Sequence, residues 1–91
     1  MGTEAATALA IEALGFLADE PERISRFLSL SGLDAHELRT AAGDPSFFPA
    51  LLDFILAHEP TLLDFATARS IAPERVAEAR RALAGREPDA F

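Results

Sequence analysis

A five-residue phrase occurs twice in the chain, as Leu17-Ala18-Asp19-Glu20-Pro21 and as Leu56-Ala57-His58-Glu59-Pro60, the second copy 39 positions after the first. In each copy an apolar pair ends one helical pattern and a proline opens the next. Proline suits the first turn of a helix, where its missing N–H has no intrahelical partner to lose. Each copy is followed by a phenylalanine and then by a small turn residue with an aliphatic: Phe27, Gly32 and Leu33 first, Phe65, Ser70 and Ile71 later. Leu38 and Val76 stand five residues beyond that aliphatic, at an offset shortened to 38. Self-similarity at this period marks one supersecondary unit used twice. The unit here is about three short helices, which constrains architecture and leaves chemistry open.

A chain of 91 residues, 49% of them hydrophobic, is long enough for one core and too short for two. We therefore expect a single helical domain over residues 1–91, ordered from about 4 to 84, with a frayed polar tail from 85 to 91. With no cysteine, disulfides, thiolate metal sites and cysteine nucleophiles are excluded, and the core must rest on helix packing or on a partner. Glu4 and Glu12 interrupt the alanine-rich start and no basic residue precedes it, unlike a secretory signal. The longest apolar window, from Phe47 to Ala57, contains Asp53 and is too short to span a bilayer. A soluble, cytoplasmic protein is expected.

Apolar positions recur at three and four residues, the period of an α-helix, and nowhere alternate as a strand would require. The first helix is predicted from about Glu4 to Ala18, with Thr3 as its cap and Ala6, Leu9, Ala10, Ala13, Leu14 and Leu17 inward. The second starts at Pro21, buries Ile24, Phe27 and Leu28, and stops at Gly32. Asp34 and Glu37 have the spacing of a reciprocal capping box for a third helix that turns Leu38, Ala41 and Ala42 inward and closes at Gly43. A fourth helix begins with Ser46 as cap after a turn over 44–48, because a start at Pro45 would cost Pro49 a hydrogen bond. Leu51, Leu52, Phe54, Ile55 and Leu56 make it the most hydrophobic of the set. The fifth runs from Pro60 to about Arg69 on Leu62, Leu63, Phe65 and Ala66, and the sixth from Pro73 to about Ala84 on Val76, Ala79 and Leu83. The expected fold is all-α: a compact bundle of about six short helices, two related three-helix units sharing one core. Phe27, Leu52, Phe54, Ile55 and Phe65 should include its most buried side chains.

Arg26-Phe27-Leu28, Gly32-Leu33, Leu38-Arg39, Asp44-Pro45-Ser46-Phe47, Asp53-Phe54, His58-Glu59-Pro60-Thr61-Leu62, Phe65 and Pro73-Glu74 occur in this order. Over roughly residues 9–84 the chain thereby resembles a family of small bacterial proteins known only as a domain of unknown function, DUF3572. The resemblance implies no activity, cofactor or catalytic residue.

Chemistry finds little purchase. His36-Glu37 and His58-Glu59 lack the second histidine four residues on that a helical zinc site needs, since Thr40 and Leu62 stand there. His58 is read instead as a cation at the end of the fourth helix, and Glu59 as a carboxylate at the start of the fifth, both favourable to the helix dipoles. The serines have no Gly-x-Ser-x-Gly elbow, and no glycine-rich phosphate loop occurs. No cofactor, metal site or catalytic residue is called.

The formal charge is −7, and all of it lies in residues 1–60, where three arginines face ten acids. Residues 61–91 balance five arginines with five acids. The helix, tight turn and helix over Phe65–Arg80 suggest a helix-turn-helix with its arginines on the last helix. An acidic body nevertheless opposes contact with a polyanion, and Arg75 to Arg81 fan over a broad arc. The preferred expectation is a non-enzymatic protein-interaction module, with Arg69, Arg75, Arg80 and Arg81 as the candidate surface. Its partner is another protein or a second copy of the chain, with nucleic acid the alternative and no membrane involved.

Overall fold

Pro21 and Pro60 open equivalent helices. The computed structural model describes residues 1–84 and is all-α over them. The expected frayed tail, 85–91, lies outside the described residues. α1 spans Thr3–Ala18, α2 Pro21–Ser31, and a 3-10 turn at Ala35–Glu37 leads into α3, Leu38–Ala41. α4 spans Phe47–Leu56, α5 Glu59–Arg69 and α6 Glu74–Ala82. None of these helices is long and apolar enough to cross a membrane.

α2 and α5 each run for 11 residues and end the same way. Beyond α2, Gly32 takes the left-handed conformation (φ 78°) and the Leu33 N–H donates to the Leu28 carbonyl at 3.1 Å. Beyond α5, Ser70 does so (φ 56°) and the Ile71 N–H donates to Ala66 at 2.9 Å. This six-to-one bond with an apolar residue after the turn is the Schellman stop. The small-residue-plus-aliphatic signal of both copies is thus one device for ending a helix. Serine adopts it against the clash of Cβ with backbone, which glycine lacks. Ser70→Gly should therefore raise stability by roughly 0.5–1 kcal/mol, a gain of a few degrees in a thermal melt; a lower melting temperature would contradict it.

The repeat breaks down in its third element. α3 is a single turn with no buried side chain, although Glu37 Oε1 does accept the Asp34 N–H at 2.9 Å as the capping box requires. α6 is twice as long, buries Val76 and Ala79, and packs against both α1 and α4. α1 can take so close a neighbour because its inner face is Ala6, Ala10 and Ala13, all 0% exposed. Helix backbones approach most closely where side chains are small, and the approach brings Val76, Ala79 and Leu83 into the common core with Leu51, Leu52 and Ile55.

Five local expectations need correction. Thr3 is inside α1 and Gly2 occupies the cap position, with no side-chain cap bond. The turn before α4 is shorter than 44–48: the helix starts at Phe47, which puts Pro49 at its third position, among the N–H groups that have no helical acceptor. Leu63 is exposed, because α5 turns Thr61, Phe65 and Ala66 inward instead. Phe54 is only half-buried, and Phe16, absent from the expected face of α1, is buried against Phe65 with ring centroids 5.4 Å apart.

Candidate interaction surface

The four arginines singled out by sequence do not form one face. Arg69, at the end of α5, reaches α1, its Nε 3.0 Å from Glu12 Oε1 and an Nη 3.6 Å from Asp19. The Nε approach falls outside hydrogen-bond geometry, so the contact is electrostatic. Arg80 turns back to α4 and donates from Nε to Asp53 Oδ1 at 2.7 Å. Arg75 pairs with Glu78 one turn on, at 2.8 Å. Arg75 and Arg81 are exposed, whereas Arg69 and Arg80 are half-buried, engaged with acids of residues 1–60. These pairs tie α5 to α1 and α6 to α4.

His58 departs from its expected place. It lies past the end of α4, at the cap position of α5, with extended backbone (φ −128°, ψ 97°). Its Nδ1 is 2.6 Å from the Thr61 hydroxyl, which is buried, and 3.5 Å from Arg26 Nη1. It joins α2 to the start of α5. Among the described residues no three His, Asp or Glu side chains are grouped to hold a metal ion.

A different surface emerges between α2 and α4. These helices pack against α1 rather than closely against each other, and Phe27 bridges the space between them. Its ring meets Phe47 edge-on at 5.9 Å and Phe54 at 5.3 Å. Over this aromatic floor lie two open recesses, of about 360 and 270 Å³, that share Phe27, Ser31 and Ala50. They form one groove. One wall is Phe27, Leu30 and Ser31 on α2; the other is Ala50, Asp53 and Phe54 on α4, with Ala57 just past its end. Leu30 stands at the rim, 73% exposed.

At the other end of the groove Asp44 holds the turn into α4. Its Oδ1 accepts the Ser46 N–H at 2.8 Å and the Ser46 hydroxyl at 2.7 Å. The backbone donor first and the hydroxyl second hold its carboxyl below the usual carboxylate range. Because the folded value is the lower one, the unfolded chain takes up its proton first as the medium is acidified. The contribution of Asp44 to stability is therefore complete above the unfolded value of about 3.9 and is lost as pH falls through the folded value. A carboxyl NMR titration should place the Asp44 midpoint below that of ordinary aspartates, and Ser46→Ala should raise it; an unmoved midpoint in the variant would remove the hydroxyl from the account.

Sequence spacing missed this groove. Its walls carry a readable pattern, but which helix faces remain uncovered is decided by how α2 and α4 sit on α1. No curated protein and no solved structure matches the chain. The family model described as a protein of unknown function, DUF3572, matches residues 3–86, all of the bundle just described. The chain belongs to the DUF3572 family.

Proposed function

We propose that the protein is a non-enzymatic interaction module whose docking surface is the groove between α2 and α4. The observation that carries this reading is an apolar groove with an aromatic floor and a leucine 73% exposed at its rim. A large aliphatic side chain held in water is costly, by roughly 1.5–3 kcal/mol against full burial, and a partner recovers that energy on binding. The four arginines are demoted as an interaction surface, since Arg69, Arg75 and Arg80 already face carboxylates of the same chain.

The same ion pairs count against nucleic-acid binding through α6. A recognition helix needs free cations on its outer face, and Arg75 is matched there by Glu78. We expect no mobility shift of a DNA fragment at physiological salt; a salt-sensitive shift abolished by changing Arg75 and Arg81 to Glu would restore the helix-turn-helix reading.

Leu30→Asp tests the docking surface. Cross-linked affinity capture from native cells, run with parent and variant side by side, should enrich a protein that the variant loses. Leu30 is largely solvated, so the variant should keep the parent's melting temperature to within a few degrees. Identical captures by two equally folded proteins would refute the assignment.

A further inference from the structure

The shape and charge of the groove say what kind of segment fits it. Along α4, Ala50, Asp53, Phe54 and Ala57 follow the i, i+3, i+4, i+7 spacing of a single helix face. Along α2, Phe27, Leu30 and Ser31 follow the same spacing. Two such stripes side by side make a trough into which the ridge of a third helix fits. Ala50 and Ala57 are small and exposed, so an incoming backbone can come close to α4, while exposed Leu30 and half-buried Phe54 leave apolar surface for large side chains to cover. The trough follows α4 over its 10 residues. At 1.5 Å per residue this is roughly 15 Å, or about three helical turns.

Charge decides what flanks that helix. The ionisable groups lining the trough are two carboxylates, Asp44 at one end and Asp53 toward the other. Asp53 shares its charge with Arg80, but the acceptor bonds of Asp44 come from the neutral donors of Ser46. Arg26 stands beyond the far end, toward His58, and does not line the trough. Both walls belong to residues 1–60, the part of the chain with three arginines and ten acids. A second copy of the chain would bring the same acids face to face. Its most arginine-rich helix, α6, has its apolar face committed to the core through Val76 and Ala79.

We infer that the groove between α2 and α4 receives an amphipathic helix of about three turns from another protein, with large apolar residues on one face and arginine or lysine on its flanks. The inference rests on the groove being the docking surface. Three apolar anchors of the incoming helix, at i, i+3 or i+4, and i+7, cover Leu30, Phe54 and the small residues Ala50 and Ala57 between and beyond them, and its basic flanks face Asp44 and Asp53.

Two fluorescein-labelled synthetic peptides of three to four turns supply the test. They carry the same leucine face and differ only in flanks of arginine or of glutamate. By fluorescence anisotropy with the full chain, the arginine peptide should bind with a dissociation constant on the order of micromolar and the glutamate peptide at least about tenfold more weakly. Added salt should weaken only the arginine peptide. Leu30→Glu, at the rim, and Ala50→Arg, on the opposite wall, should each cost at least about tenfold in affinity for the arginine peptide with unchanged circular dichroism. Equal binding of both peptides, lost in Leu30→Glu, would overturn the charge assignment and leave the docking groove standing. Binding of neither, or binding indifferent to both substitutions, would overturn the groove as well. A parent dimer in sedimentation that Leu30→Glu dissociates would give the surface to a second copy and overturn the inference.

Discussion

Phe65→Ala should remove a large part of the stability of this protein. The ring is 0% exposed and lies against Phe16, with ring centroids 5.4 Å apart. Losing a buried phenylalanine costs about 3–5 kcal/mol, partly from transfer and partly from the cavity. A domain of this size is stable by roughly 5–14 kcal/mol in all. The melting temperature should therefore fall by more than about 12 °C. Phe54→Ala makes the comparison: Phe54 is half-buried over the groove, so its loss should cost less than that of Phe65. Equal effects, or a Phe65→Ala variant melting within a degree or two of the parent, would show that the core is centred elsewhere.

The second large effect comes from adding atoms. Ala10 is 0% exposed on the alanine face of α1, the face that lets α6 lie close. Ala10→Leu would force three more carbons into that seam, and overpacking of this kind costs typically about 1–3 kcal/mol. The helical propensity of leucine is nearly that of alanine, so a loss cannot come from the helix itself. Ala5→Leu, one residue before that face and exposed, is the control and should leave the melt unchanged. If Ala10→Leu is as stable as Ala5→Leu, α1 and α6 are not in close approach.

What the sequence announced depended on how far the deciding contact lay along the chain. Helix starts at Pro21 and Pro60 and stops at Gly32 and Ser70 are set within six residues, and all four were readable. The inward places of Phe27, Leu52, Ile55, Phe65, Val76 and Ala79 follow from helical period plus burial, and these too were readable. Phe16 was not, because its burial depends on α5 arriving against it and on the Arg23 guanidinium, which sits 4.1 Å over the ring. Leu63 misled because α5 has apolar residues on more than one side, and only tertiary placement chooses between them. The contacts of the arginines were hidden for the same reason. Glu12 and Asp53 lie 57 and 27 positions from Arg69 and Arg80, so their ion pairs have no local signature. Partly exposed pairs of this kind contribute on the order of 1 kcal/mol or less apiece, but they decide which cations remain for a partner.

The alanine face of α1 also bears on where such a chain could have come from. Ala6, Ala10 and Ala13 are covered by helices of the other repeat, and α3, the counterpart of α6 within the first repeat, is too short to cover them. A polypeptide carrying one copy of the unit would leave that stripe open to water. Such a chain would need a longer third helix of its own, or a second copy, to cover it. With both copies in one chain, α6 covers the stripe and α3 is left with no buried side chain.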